Sequence, residues 1–380
     1  MKQIIVLSAV PWFPRPVRAQ HICSRLTTHR ILFVNPPPGL DWGREPLDGK
    51  TGGADWKDEG EPVSKWLTVL TPPPVLPMSG ELRIAAKLAA RKIGRFVRER
   101  MADYGFEKPV LWCCTPFNAC CLPHIPHQAV VYDASYDTFW QSGRVSSSLT
   151  GSLEAELCGA ADIVLAPSGE KLREIEPLCK KTALLPNGAN FELFNRAAGE
   201  LPFPADMFSV KNPIFGHVGV VDKTTDMTFI EDAARAHPEW TFIFIGPVLP
   251  DADLSPVTGL RNVRMMGLKP HKQLPAYMSR FDVCVNIARG SDSAGSPLKL
   301  YEYLATGKPI VSTPHPSQVM DYVDVLTVAG SPADFTEACR KALLERDAWR
   351  VRQRIAYGQA SSWEARAAEL ERTMKEAGVF

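Results

Sequence analysis

The chain carries almost no net charge, with 43 Lys and Arg against 42 Asp and Glu in 380 residues. That balance argues against an extended nucleic-acid surface, which needs clustered excess cation, so no nucleic-acid partner is expected and phosphate recognition must be local. Long apolar runs are also missing. No window approaches the roughly 20 residues of a membrane-spanning helix. The opening MKQIIVLSAVPWFP is apolar only briefly before its prolines, so it reads as a first strand and not as a secretory signal. The expected location is cytoplasmic, with a peripheral place on the inner face of the cytoplasmic membrane as a variant. Nine cysteines, an odd number without a secretory signal, argue for reduced thiols. The adjacent pairs Cys113-Cys114 and Cys120-Cys121 lack the CxxC spacing of metal knuckles, so they read as buried thiols. No paired metal-binding aspartates are evident, and metal independence is the expectation.

What is present is length and alternation. Single cores stop growing near roughly 250–300 residues, so 380 residues imply two domains. Apolar strands at Ile4 to Val10, Ile31 to Val34, Trp66 to Leu70, Val110 to Cys114 and Ala129 to Asp133 open the first. Leu201-Pro202-Phe203-Pro204 marks the boundary, and the second domain begins with the strand and glycine turn Ile214 to Val221. Strand following helix following strand implies parallel sheets. The expected division is 1–200 and 201–360, followed by a terminal helix at 361–380.

The most informative stretch runs from Asp292 to Pro314, DSAGSPLKLYEYLATGKPIVSTP. Ser296 is a good N-cap, Pro297 suits the first helical position, Gly307 is a left-handed stop and Pro309 forbids continuation. Leu298, Leu300, Tyr301, Leu304 and Ala305 form a broad apolar surface. Lys299 and Glu302, three apart, share the remaining face. The small loop ahead of the helix, Asp292-Ser293-Ala294-Gly295-Ser296, lets backbone approach an anion, and the helix dipole adds partial positive charge there. A diphosphate seat follows from that combination.

These residues resemble the donor-binding signature of retaining nucleotide-sugar glycosyltransferases of the GT-B architecture, particularly bacterial enzymes that build polysaccharides. The resemblance implies an α/β fold of two Rossmann-like domains with parallel sheets facing a central cleft, the terminal helix returning to the first. It implies a nucleotide diphosphate sugar as donor substrate, no further cofactor, and a glycan or lipid-linked saccharide as acceptor. Glu302 stands at the family's ribose-binding glutamate. Ala294 occupies the place of a second glutamate, and Val220 that of an arginine after the glycine turn. Lys223 and Lys299 are then the cations for the diphosphate. Asp292, Ser293, Ala294, Gly295, Ser296, Leu298, Gly219 and, beside the nucleobase, Gly267 complete the implied donor site. The run Asn187-Gly188-Ala189-Asn190 resembles the family's join between domains.

In the first half, the loop after the first strand lies at a carboxyl edge, where Arg15 and Arg18 supply charge and His21 continues into a helix. Asp133 ends a strand, and Asp137 follows among Tyr136, Phe139 and Trp140. In similar enzymes this region belongs to the acceptor side, so either aspartate is a candidate to orient or deprotonate an acceptor hydroxyl. With Lys299, they are the catalytic candidates. The stretch between the strands ending at Val34 and beginning at Trp66, rich in proline, glycine and charge and passing Gly52-Gly53, reads as long loops with acceptor contacts. Arg83 to Arg100 is a basic helix with a local charge of +6, its apolar steps being Ile84 with Leu88 and Ala89 with Ile93, Phe96 and Val97. A solvated face and contact with anionic lipid are both open readings. A nucleotide-sugar epimerase or phosphorylase, or a non-catalytic nucleotide-sugar-binding protein, is the alternative function.

Overall fold

The computed structural model describes residues 1–13, 17–38, 57–75, 83–135, 147–290 and 297–380. Two compact units result, one of Met1–Pro186 with Arg366–Phe380 and one of Asn187–Ala365.

The first unit holds strands β1 (Lys2–Leu7), β2 (His29–Val34), β3 (Lys57–Pro62), β4 (Leu67–Thr71), β5 (Val110–Cys113), β6 (Ala129–Asp133), β7 (Ile163–Ala166) and β8 (Thr182–Leu184). Their order is β3-β4-β2-β1-β5-β6-β7-β8. All neighbours pair in parallel except β3 with β4. The unbroken apolar runs of β1, β5 and β7 suit strands covered on both faces. β3, KDEGEP, falls within a stretch expected to be loops. A polar edge strand has no apolar period to announce it, and its charge and Pro62 suit a sheet edge.

Helices α1 (Arg18–Cys23), α2 (Arg83–Asp103), α3 (Ser147–Ala160) and α4 (Gly169–Ile175) belong to this unit. On α2, Ala89, Ile93, Phe96 and Val97 enter the core as the sequence suggests. Ile84 and Leu88 do not: they are 70% and 60% exposed. Helical spacing puts them on one stripe with Arg91 and Arg95, away from the core stripe. All nine cysteines are free, and all but Cys179 are buried. Among the described residues no helix is long and apolar enough to cross a membrane, and no group of three His, Cys, Asp or Glu side chains is placed to hold a metal ion.

The second unit carries β9 (Ile214–Val218), β10 (Thr241–Ile245), β11 (Val263–Met265), β12 (Val283–Asn286), β13 (Ile310–Ser312) and β14 (Thr327–Val328) in the order β11-β10-β9-β12-β13-β14. Every pairing is parallel. Its helices are α5 (Phe191–Asn195), α6 (Thr228–Ala236), α7 (Leu274–Met278), α8 (Leu298–Thr306), α9 (Pro332–Leu343), α10 (Ala348–Ala360) and the start of α11 (Trp363–Glu376). The Asn187 segment joins this unit: Ala189 bridges to Ser362, and Phe194 lies in the core. In each sheet the chain winds outward first to one side and then to the other. The reversal falls between β1 and β5 in the first unit and between β9 and β12 in the second. Open α/β sheets bind ligands at the carboxyl edge of such a reversal.

Candidate active site

At the reversal of the second sheet, β9 and β12 stay in register only as far as Gly216 and Cys284. Beyond that point side chains take over the backbone groups. His217 Nδ1 donates to Val285 O at 3.1 Å, the Tyr303 hydroxyl reaches the same carbonyl at 3.4 Å, and Val218 N donates to Tyr303 Oη at 2.8 Å. Tyr303 lies on α8, so its hydroxyl pins that helix across the mouth of the two strands. A buried tyrosine needs a partner for its oxygen, and here that need sets the helix position.

Glycines turn the adjacent strand ends. Gly219 after β9 has φ +142° and Gly246 after β10 has φ +147°. A Cβ on Gly246 would lie 2.0 Å from Gly219 O, so the two turns touch backbone to backbone. Gly246 N donates to Gly267 O at 3.0 Å, which extends this edge to the end of β11. Gly219 and Gly267 were legible as site candidates. Gly246 was not, although the Ile245-Gly246-Pro247 turn after an apolar strand is the same kind of signal.

α8 begins at Leu298, one residue later than its sequence suggests, with Pro297 in the cap position, and Gly307 ends it in the left-handed conformation at φ +71°. Leu300, Tyr301, Leu304 and Ala305 are buried as expected, whereas Leu298 is 42% exposed. Glu302 departs from expectation more sharply. It was placed on an open polar face with Lys299, yet it is only 6% exposed. α10 packs so closely on α8 that a Cβ on Gly358 would lie 2.6 Å from Ala305 N, and α5 also packs against α8. Little of the helix is left open.

Lys299 is partly buried, its Nζ 3.5 Å from His217 Nε2. Burial pulls its pKa down to about 8 against the favourable fields of Asp222 and Glu302. Burial pushes the Glu302 carboxyl up to about 8, opposed by Lys299. Among the described residues no ion pair joins the two, and Glu302 has no hydrogen-bond partner. The loop beside them is firmly built. Asp222 Oδ1 accepts from Thr224 N and Oγ1 at 2.9 and 2.6 Å, and Arg289 N donates to Thr224 O at 2.6 Å. Lys223 on that loop is exposed. Asp292, Ser293, Ala294, Gly295 and Ser296 lie outside the described residues.

In the first unit, the candidates Arg18 and Asp133 meet each other. Arg18 Nε donates to both Asp133 oxygens at 3.1 and 2.8 Å, and its Nη atoms reach Pro186 O and Leu185 O at 2.9 and 2.7 Å. Both side chains are buried. His21 is half-buried on α1, one turn from Arg18. Arg15 and Asp137 lie outside the described residues.

Two doubly wound, mainly parallel sheets, one carrying a glycine-turned edge and a capped helix with a cation and a carboxylate, define an α/β protein of the GT-B architecture. Sequence comparison gives the family. Residues 212–345 match the model of glycosyl transferases group 1. TuaH of Bacillus subtilis (strain 168), named as a teichuronic acid biosynthesis glycosyltransferase, is 30% identical over 302 residues, which span 70% of this chain and 75% of that protein. The chain belongs to the group 1 glycosyltransferases. Among solved structures, sucrose-phosphate synthase from Thermosynechococcus elongatus aligns over 100% of both chains at TM-score 0.68 and 16% identity. The trehalose-6-phosphate structure from E. coli bound with UDP-2-fluoro glucose aligns over 99% of both at TM-score 0.70 and 11% identity. These two likenesses establish the fold.

Proposed function

We propose that the second unit binds a nucleotide diphosphate sugar at its β9/β12 edge, and that the enzyme transfers the sugar, with retention, to a hydroxyl of a glycan or lipid-linked saccharide in cell-surface polysaccharide biosynthesis. The observation that carries this reading is Glu302, a buried residue whose carboxyl has no hydrogen-bond partner among the described residues, one helical turn from a cation. The carboxyl oxygens are open to donors that arrive, and a pair of ribose hydroxyls supplies two. Lys299 and the amides at the start of α8 face the diphosphate, whose negative charge grows as the bond from the anomeric carbon to the leaving oxygen breaks. Preorganised charge acts most strongly at that step. The alignment with TuaH, named for teichuronic acid biosynthesis, supports an acceptor on the way to a cell-surface polymer. Asp133, held by Arg18, anchors the edge of the first sheet.

Calorimetry against UDP, GDP, dTDP and ADP and their common sugar conjugates tests the donor site. One base should bind selectively, and Glu302→Ala should weaken it by roughly 10- to 100-fold with the fold intact, the worth of the two hydrogen bonds lost to the ribose hydroxyls. Equal affinity in the variant would remove the role of Glu302.

The outward stripe of α2 supports a peripheral membrane position. Exposed Ile84 and Leu88 lie among exposed Lys87, Arg91, Lys92 and Arg95, an apolar pair within a cationic field. Each such cation contributes on the order of 1 kcal/mol at an anionic surface. Co-sedimentation with phosphatidylglycerol vesicles at low salt should retain the protein, and Ile84→Glu with Leu88→Glu should release it. No binding by the unmodified protein would end this reading.

A further inference from the structure

We propose that His217 is the positioning residue of Lys299: its Nε2 lone pair holds the ammonium at the β9/β12 mouth so that the other N–H groups face an incoming diphosphate. The inference rests on the donor reading of this site and adds a residue to it.

His217 is the β9 residue just past the last register pair with β12, buried beneath the Gly219 turn and beside the Phe244 ring at 5.3 Å. The acceptor Val285 O at 3.1 Å requires a proton on Nδ1. A neutral imidazole protonated there leaves Nε2 as an acceptor, and the atom 3.5 Å away is Lys299 Nζ, which can only donate. The tautomer is therefore set by one carbonyl on the side away from the lysine. Gly219 completes the arrangement. A Cβ there would stand 3.5 Å from Lys299 Cε and Nζ and 3.6 Å from His217 Nε2, so the absent side chain leaves the lysine tip open toward the strand edge.

The surrounding charges keep this state. Burial and the lysine's own charge lower the His217 pKa well below its ordinary value, so the ring stays neutral while the lysine is charged. Around Lys299, Asp222 approaches from the loop after β9 and Glu302 from its own helix, both favouring the ammonium. Tyr303, whose hydroxyl shares Val285 O with His217, is held neutral by burial. Without the imidazole, the ammonium loses its only fixed acceptor among the described residues.

Lysine labelled with 13C at the ε position reports the Lys299 titration in the intact protein, with Lys299→Arg identifying the resonance. His217→Asn keeps an amide near the Nδ1 position and deletes Nε2; His217→Leu serves should the first variant not fold. Losing an acceptor disfavours the charged form, so the Lys299 midpoint near 8 should fall by about one unit, a tenfold loss of proton affinity. His217→Gln, which returns an oxygen near the Nε2 position, should restore it. A midpoint unchanged in both removal variants overturns the proposal. Affinity for the nucleoside diphosphate that binds the unmodified protein should drop in the removal variants, most steeply from pH 7 to 9, and recover in His217→Gln. If the midpoint moves and recovers while none of the four diphosphates binds any form, the His217–Lys299 coupling stands and the donor reading beneath it fails.

Discussion

The carboxyl edges of the two sheets each bring a cation and a carboxylate out of water, and they treat them differently. In the first unit Arg18 and Asp133 close on each other through both carboxylate oxygens, and the remaining guanidinium nitrogens take two backbone carbonyls. In the second, Lys299 and Glu302 lie on one helix without an ion pair between them, and burial shifts both toward their neutral forms. A buried charge with its partner in place is part of the framework. Buried ionisable groups left incomplete cost stability, and such groups persist where a ligand completes them. The contrast separates two sets of candidates that carry the same residue chemistry in the sequence.

The largest effect expected from this contrast is in the first unit. Arg18→Met strands Asp133 as a buried carboxylate and leaves the carbonyls of Leu185 and Pro186 without their donor, a loss of roughly 3–5 kcal/mol. Urea unfolding followed by tryptophan fluorescence measures it. Adding Asp133→Leu should recover a large part, because the stranded charge goes with its partner. Lys299→Met in the second unit should produce no comparable drop, since no ion pair is broken. Similar losses for Arg18→Met and Lys299→Met would erase the distinction between the two edges.

Much of the framework was legible because it is locally encoded. β1, β5 and β10 each carry an unbroken apolar run of four residues, β9 is apolar apart from Gly216 and His217, the strands end at prolines, glycines or polar turns, and α8 carries its stop at Gly307. The candidate donor helix was found for the same reason. What escaped depends on partners remote in sequence. Arg18 and Asp133 are 115 residues apart, and nothing in either neighbourhood names the other. Glu302 looked exposed because helical spacing gives the faces of α8 but not the presence of α10 and α5 against them. On α2, Ile84 and Leu88 read as a packing step by residue type, while the core had already been filled from the next stripe. β3 is too polar to register at all; only its pairing with β4 makes it a strand.

A smaller effect sharpens the comparison at Glu302. Burial holds this carboxyl near 8, above its ordinary 4.5, so the folded protein retains a proton there that the unfolded chain gives up. The neutral carboxyl's contribution is therefore fully present below about pH 4.5 and is lost as the pH rises to about 8. Glu302→Gln keeps the shape and cannot ionise. At pH 5 the variant and the unmodified protein should melt within a few degrees of each other, and by pH 8 the variant should be more stable by roughly 3–4 kcal/mol. The same substitution replaces one acceptor oxygen with an amide and should weaken donor binding, so stability and affinity move in opposite directions. Asp133→Asn, made at the edge where the charge is already matched, should lose stability instead, because Arg18 then keeps its charge without a counter-ion. Differential scanning calorimetry at the two pH values decides the matter: a Glu302→Gln melting curve that tracks the unmodified protein at both would mean that Glu302 is compensated after all, and the two edges would then be alike.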